Sequence, residues 1–147
     1  MIIRDANIND SLDIYSWRND PLSLQMFKKS SIVTLEEHKK WFENVLADQF
    51  RKIYIGLIDG LKVGMCRFDL DEKMVSAEVS INLNPAMRGR NISKNFLANC
   101  IKKYREVDKL KLTATIRKEN KASLKIFKRC GFIQVNHDDD FYYHLAD

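Results

Sequence analysis

Two prolines, five glycines and three cysteines in 147 residues are too few for a flexible linker, a low-complexity tail or a disulfide scaffold. Cys66, Cys100 and Cys130 are odd in number, far apart and without metal-ligand spacing, so no metal centre is expected. They read as buried or half-buried thiols of a reducing cytoplasm. No apolar run is long enough to span a bilayer, and Met1 to Asp5 has the pattern of a short strand rather than a secretory leader. Internal repeats are absent. Neither sign of charge dominates either, since 25 basic and 20 acidic residues leave a net +5. The basic residues are dispersed and no aromatic stripe interleaves with them, which argues against nucleic acid. Most of them serve solubility, while the small surplus suits an anionic small molecule such as a phosphorylated cofactor.

What is present is an ordinary core-forming balance, 45% hydrophobic and 31% charged, in a length that suits one domain over residues 1–147. After the first strand, Ile8, Leu12 and Tyr15 share a helical face that Asn19-Asp20-Pro21 interrupts. Residues 20–33 read as a loop. Thr34-Leu35-Glu36-Glu37 has the spacing of a capping box and opens a helix to about Asp48, with Leu35, His38, Trp41, Phe42, Val45 and Leu46 on its apolar side. The period then becomes two. Strands over 52–59 and 62–69 flank the hairpin signal Asp59-Gly60-Leu61, and a third runs from Met74 to Asn84 with Glu78, Ser80 and Asn82 on its polar face. A helical stripe (Ile92, Phe96, Leu97, Cys100, Ile101, Tyr104) precedes a strand from Leu110 to Arg117. Asn120 caps a short helix with Ala122, Ile126, Phe127 and Cys130 inward, and Gly131 ends it. Strands over 132–136 and 141–145 surround the acidic turn after His137. The pattern predicts a mixed α/β domain with about seven strands and about four helices.

The most informative segment is Asn84-Pro85-Ala86-Met87-Arg88-Gly89-Arg90-Asn91-Ile92-Ser93-Lys94, a tight turn between strand and helix. Such a turn leaves backbone N–H groups open at the positive end of the helix dipole, where a pyrophosphate fits. Arg88 and Arg90 add charge, Gly89 permits close approach, and Asn91 tolerates a left-handed backbone.

The order strand, Arg-Gly turn, helix, strand, Asn-capped helix, Gly-Phe strand resembles the GNAT superfamily of N-acetyltransferases. Arg88 to Ser93 covers its cofactor turn, with Asn91 and Ser93 in place of two glycines, and Asn120-Lys121-Ala122-Ser123 with Gly131-Phe132 covers its second signature. The resemblance spans about residues 52–133. It implies a twisted central sheet splayed in the middle and acetyl-CoA, as co-substrate, in the V-shaped opening. Ile81, Asn82 and Leu83 would meet the pantetheine amides. Arg88, Gly89, Arg90, Asn91, Ile92 and Ser93 would hold the pyrophosphate, and Asn120 and Phe127 would lie along the far end of the arm. A homodimer through the final strands is a further expectation.

The N-terminal half, Trp17-Arg18-Asn19-Asp20-Pro21, Phe27 and Glu37-His38-Lys39-Lys40-Trp41-Phe42, resembles the GNAT branch that acetylates amino-sugar nucleotides of pseudaminic-acid pathways. The resemblance marks Trp17, Arg18, Asn19, Phe27, His38 and Trp41 as acceptor-side candidates. Arg18 would hold a nucleotide phosphate, and Phe27 or Trp41 would stack on a base or sugar. Trp17, His38 and Trp41 fit a helix core as well. Glu78 is the candidate base for the acceptor amine, directly or through water. Relatives carry a tyrosine acid where Phe127 stands, so Ser123 or solvent would protonate the leaving thiolate. Two other outcomes fit the same residues: acetylation of a protein N-terminus or polyamine, and a CoA-binding module without turnover.

Overall fold

The computed structural model describes residues 1–26, 32–137 and 140–145, with side chains as far as residue 135. Chain order is β1 (Ile2–Asp5), α1 (Ser11–Arg18), α2 (Pro21–Met26), α3 (Leu35–Ala47), β2 (Arg51–Ile58), β3 (Leu61–Leu70), β4 (Ser76–Leu83), α4 (Ser93–Val107), β5 (Lys111–Arg117), α5 (Lys121–Arg129), β6 (Phe132–His137) and β7 (Asp140–Leu145). The strands form one seven-stranded sheet ordered β1-β2-β3-β4-β5-β7-β6. Among the described residues, only β4 and β5 pair in parallel, because the α4 crossover returns the chain in the same direction. The mixed α/β fold agrees with the sequence reading.

Period-two alternation sorts the core onto two faces of the sheet. Tyr54, Cys66, Phe68, Ala77, Val79, Leu112 and Ala114 point to one face and bury against Phe96, Leu97, Cys100 and Tyr104 of α4 and Phe127 of α5. Ile53, Ile55 and Met65 point to the other and meet Ile14 and Trp17 of α1 and Phe42 and Val45 of α3. The α4 stripe is the predicted one. The β2–β3 hairpin turns at Asp59 and Gly60, both with positive φ (49° and 80°), the left-handed pair that a two-residue turn requires. Cys66 and Cys100 are buried and Cys130 half-buried.

The sequence reading misplaced several features. The buried face of α1 is Ser11, Ile14 and Trp17, while Ile8 and Leu12 are more than half exposed. Ile8 belongs to a separate 3-10 turn, capped reciprocally by Asn7 and Asp10, which shifts the helical phase. Asp10 is fully buried. It takes both Arg4 guanidinium nitrogens at 2.8 Å, Lys62 Nζ at 2.8 Å and the Asn7 N–H at 2.9 Å. A helix, α2, occupies residues 21–26 of the segment read as loop; Asp20 accepts the Ser23 N–H at 3.2 Å and so starts it. The α3 box is half formed: Thr34 Oγ1 accepts the Glu37 N–H at 3.2 Å, and Leu35 and Leu46 stay exposed. Ala122 is exposed rather than inward.

Candidate active site

The parallel pairing of β4 and β5 covers three rungs, Ser76↔Lys111, Ala77↔Leu112 and Glu78↔Thr113. Beyond Glu78 the two strands diverge, although β4 remains paired with β3 as far as Leu83. Asn84 N–H donates to the Val63 carbonyl at 2.9 Å. The antiparallel register therefore sends the main-chain groups of residues 78, 80 and 82 to β3 and those of Val79, Ile81 and Leu83 toward β5. The Val79 N–H closes the last shared rung on Thr113; past it the Val79 carbonyl and the groups of Ile81 and Leu83 have no rung with β5. They suit an extended chain carrying amides of its own, which would add to β4 like a strand.

Two connected hollows fill the splay. The first, about 290 Å³, is lined by Arg18, Trp41, Arg67, Glu78, Arg117 and Ser123 among others. The second, about 360 Å³, runs between Ile81, Asn82, Leu83 and the start of α5 toward Arg88. Met26, Ile81, Asn82, Asn120 and Ser123 line both. Asn120 also caps α5, its Oδ1 accepting the Ser123 N–H at 3.2 Å.

Past β4 the chain makes a 3-10 turn at Pro85–Met87 with Asn84 as its cap. Gly89 (φ 75°) and Asn91 (φ 58°) then take left-handed backbones, as their residue types predict. Among the described residues, the N–H groups from Gly89 through Asn95 have no acceptor, and the next one, Phe96, donates to the Ile92 carbonyl at 2.9 Å. No side chain caps α4. The concave run of open donors at a helix N-terminus fits a diphosphate.

Of the acceptor-side candidates, Arg18 and Trp41 reach the cleft. The guanidinium carbons of Arg18 and Arg67 lie 5.9 and 5.5 Å from the centre of the Trp41 ring. Arg67 Nε donates to Asp69 at 2.9 Å. Burial, and the charge of Arg67, push the Arg18 guanidinium below its ordinary pKa. Trp17 and His38 are not brought to the cleft. Both are buried, and His38 Nε2 lies 2.8 Å from the Ser11 carbonyl, so the ring is a strut between α3 and α1. Asn19 is committed elsewhere too: its side chain donates to the Val33 carbonyl and accepts the Val33 N–H, closing a loop. Phe27 lies outside the described residues.

Phe127 lines the first hollow and packs edge-on against Phe132 at 4.9 Å. Arg88 is held at Asp20, its Nη2 donating at 2.7 Å. Sequence reasoning missed Arg67, Arg117 and Met26. The single signal for Arg67 was a charged residue directly after the apolar run Val63–Cys66 and before Phe68; α2 had no signal strong enough to point to Met26.

This splayed sheet, with an anion-ready turn at the tip of one arm, defines an acyl-CoA-type transferase, and the chain belongs to the acetyltransferase (GNAT) domain family, whose description matches residues 1–133. It is thus an acyltransferase that takes its acetyl group from acetyl-CoA. Acetyltransferase PseH of Campylobacter jejuni is 31% identical over 134 residues, spanning 88% of this chain and 81% of that protein. Among solved structures, a ribosomal-protein-alanine N-acetyltransferase from Brucella melitensis superposes with a TM-score of 0.82 at 23% identity, covering 98% of each chain. The spermidine N-acetyltransferase of Vibrio cholerae, solved with CoA and spermine, gives 0.81 at 13% identity, covering 97% of this chain and 92% of that one. At these identities the two structures speak for the fold alone. No helix among the described residues is long and apolar enough to cross a membrane.

Proposed function

We propose that this protein acetylates the primary amine of a nucleotide-activated amino sugar, such as a UDP-4-amino-4,6-dideoxy sugar, by direct attack in a ternary complex. The observation that carries this reading is the wall of the first hollow. There the guanidinium groups of Arg18 and Arg67 lie 5.9 and 5.5 Å from the Trp41 ring centre, which puts donors for phosphate oxygens beside an indole that a base or sugar would meet. The similarity to PseH supports the same acceptor class.

In this reading the donors from Gly89 to Asn95 hold the cofactor diphosphate, and the Val79 carbonyl with the open groups of Ile81 and Leu83 holds the pantetheine arm. Glu78 takes the proton from the acceptor amine, directly or through one water, as the nitrogen attacks the thioester carbonyl carbon. The N–H of Ile81 or Leu83 faces the developing oxyanion. When the carbon–sulfur bond breaks, the Ser123 hydroxyl or a water protonates the thiolate, since Phe127 has no proton to give.

A polyamine acceptor is poorly served by the charge of the first hollow. Among the described residues, Glu78 is the one carboxylate lining it, beside Arg18, Arg67 and Arg117, and the last two arginines already occupy Asp69 and Glu119, so a polycation would find a single anionic partner there. The test is mass spectrometry after incubation with acetyl-CoA and a panel of UDP-amino sugars, spermidine and an alanine-starting peptide. A gain of one acetyl group on an amino sugar alone is the expected result. Acetylation of spermidine or the peptide alone overturns the acceptor assignment, and turnover of nothing favours a CoA-binding module.

A further inference from the structure

Arg88 sits in the cofactor turn, yet its guanidinium is engaged by α2 and the residue before it. Its Nη2 donates to Asp20 Oδ2 at 2.7 Å and to Ser23 Oγ at 2.9 Å. Asp20 Oδ2 also accepts the Ser23 N–H at 3.2 Å, so one carboxylate starts α2 and receives the arginine together. The Arg88 bond holds the Asp20 carboxyl below its ordinary pKa. At the other end of α2, Arg117 Nη1 donates to the Gln25 carbonyl at 3.0 Å. Helix α2 is thus tied at its start to the turn that follows β4 and at its end to the last residue of β5. It spans the two arms of the splay, and its Met26 lines both hollows.

We propose that Asp20, Ser23 and Arg88 form a latch by which the cofactor turn holds α2 as a wall of the acceptor hollow. Arg88 is then a positioning residue for the acceptor and not a ligand of the pyrophosphate. The physical case is one of competition. A guanidinium bound to a carboxylate and a hydroxyl at charge-assisted distances loses those bonds if it turns to a phosphate. The neighbouring backbone donors already supply what a diphosphate needs. A six-residue helix cannot hold itself by its own hydrogen bonds, so its place depends on such ties. This inference rests on the cofactor-turn reading and not on the identity of the acceptor.

The test combines hydrogen exchange and calorimetry on wild type, Asp20→Asn, Arg88→Gln, Arg88→Lys and the double variant Asp20→Asn with Arg88→Gln. In the protein without ligand, amide exchange of residues 20–26 is expected to rise about tenfold in each single Asn or Gln variant, the scale of one broken charge-assisted bond. The double variant is expected to exchange no faster than either, and Arg88→Lys to recover part of the protection. CoA titrated into the same samples should bind within about twofold of wild type, because the backbone donors are intact. With an acceptor that is turned over, acceptor KM should rise and kcat should hold. Unchanged exchange in the single variants, or a rise that adds in the double variant, overturns the latch. A CoA affinity that falls tenfold in Arg88→Gln but not in Asp20→Asn makes Arg88 a phosphate ligand and overturns its positioning role. Wild type failing to bind CoA counts against the cofactor-turn reading, while the exchange data still decide the latch.

Discussion

Glu78 pairs with Thr113 in the last rung that β4 and β5 share. Its side chain therefore stands at the apex of the splay, on the face where Arg67 and Trp41 line the first hollow. Attack on a thioester held along β4 would begin beside this carboxylate. Replacing Glu78 by Gln keeps the shape and removes the proton acceptor. We expect kcat near neutral pH to drop about 10²-fold or more, the usual worth of a general base, with CoA affinity unchanged by calorimetry. Raising the pH should recover part of the rate as more of the acceptor amine becomes neutral. A variant with full turnover at pH 7 removes Glu78 from the chemistry.

Ser123 lines both hollows and lies one helical turn before Phe127. Ser123→Ala should cost about tenfold in kcat, the low end for proton transfer, because water remains as a second source. Phe127→Tyr supplies a hydroxyl in the same wall and should restore the loss in the double variant. Steady-state rates at saturating acetyl-CoA decide it: full activity in Ser123→Ala gives the proton to solvent.

Acid stability follows from two buried groups with separate windows. Burial works to raise the Asp10 carboxyl, but bonds from Arg4, Lys62 and the Asn7 N–H outweigh it and hold the pKa far below the usual range. A depressed carboxylate stabilises the fold above its unfolded value of about 3.9 and loses that contribution as pH falls through the folded value. Burial lowers His38 in spite of the Ser11 carbonyl, so the native state prefers the neutral ring, and stability declines as pH falls below about 6.5. Thermal melts from pH 8 to 3 should show both slopes. His38→Phe should flatten the upper one. Asp10→Asn should flatten the lower one and cost about 1–3 kcal/mol at pH 7, the worth of hydrogen bonds to a charged group whose partners, Arg4 and Lys62, stay partly solvated. A melting profile in either variant that parallels wild type refutes the assignment.

The left-handed backbone at Asn91, φ 58°, sets a further expectation. Asn91→Gly should leave CoA binding intact and relieve the strain of a side chain there, while Asn91→Val should cost about 1–2 kcal/mol of stability or distort the turn. Urea unfolding and CoA titration read these separately. Equal behaviour of the two variants means that the turn does not depend on that conformation.

The backbone of the turn from Arg88 to Ser93 was legible in the sequence and the lining of the first hollow was not, and the residues show why. Gly89 and Asn91 announce their backbone angles by type, and the stripe from Ile92 to Tyr104 has an unbroken 3.6 period, so local rules suffice. Ile8 broke the phase of α1 because a capped 3-10 turn precedes the helix, and no period marks that. His38 and Trp41 sit three residues apart on one helix face. Only the packing of α1 over α3 decides that His38 is sealed and Trp41 reaches the cleft. Arg67 and Arg117 meet in the cleft although 50 positions separate them, which register and crossover decide. The Asp20–Arg88 contact joins residues 68 positions apart, beyond any local pattern.

The short seam between β4 and β5 makes the sheet two rafts moored by a handful of bonds. Extending the mooring by a single pair, beyond Glu78 and Thr113, would begin to zip the gap shut, and with it the channel proposed for a thioester arm. How wide the gap opens is therefore written in where the two strands stop touching.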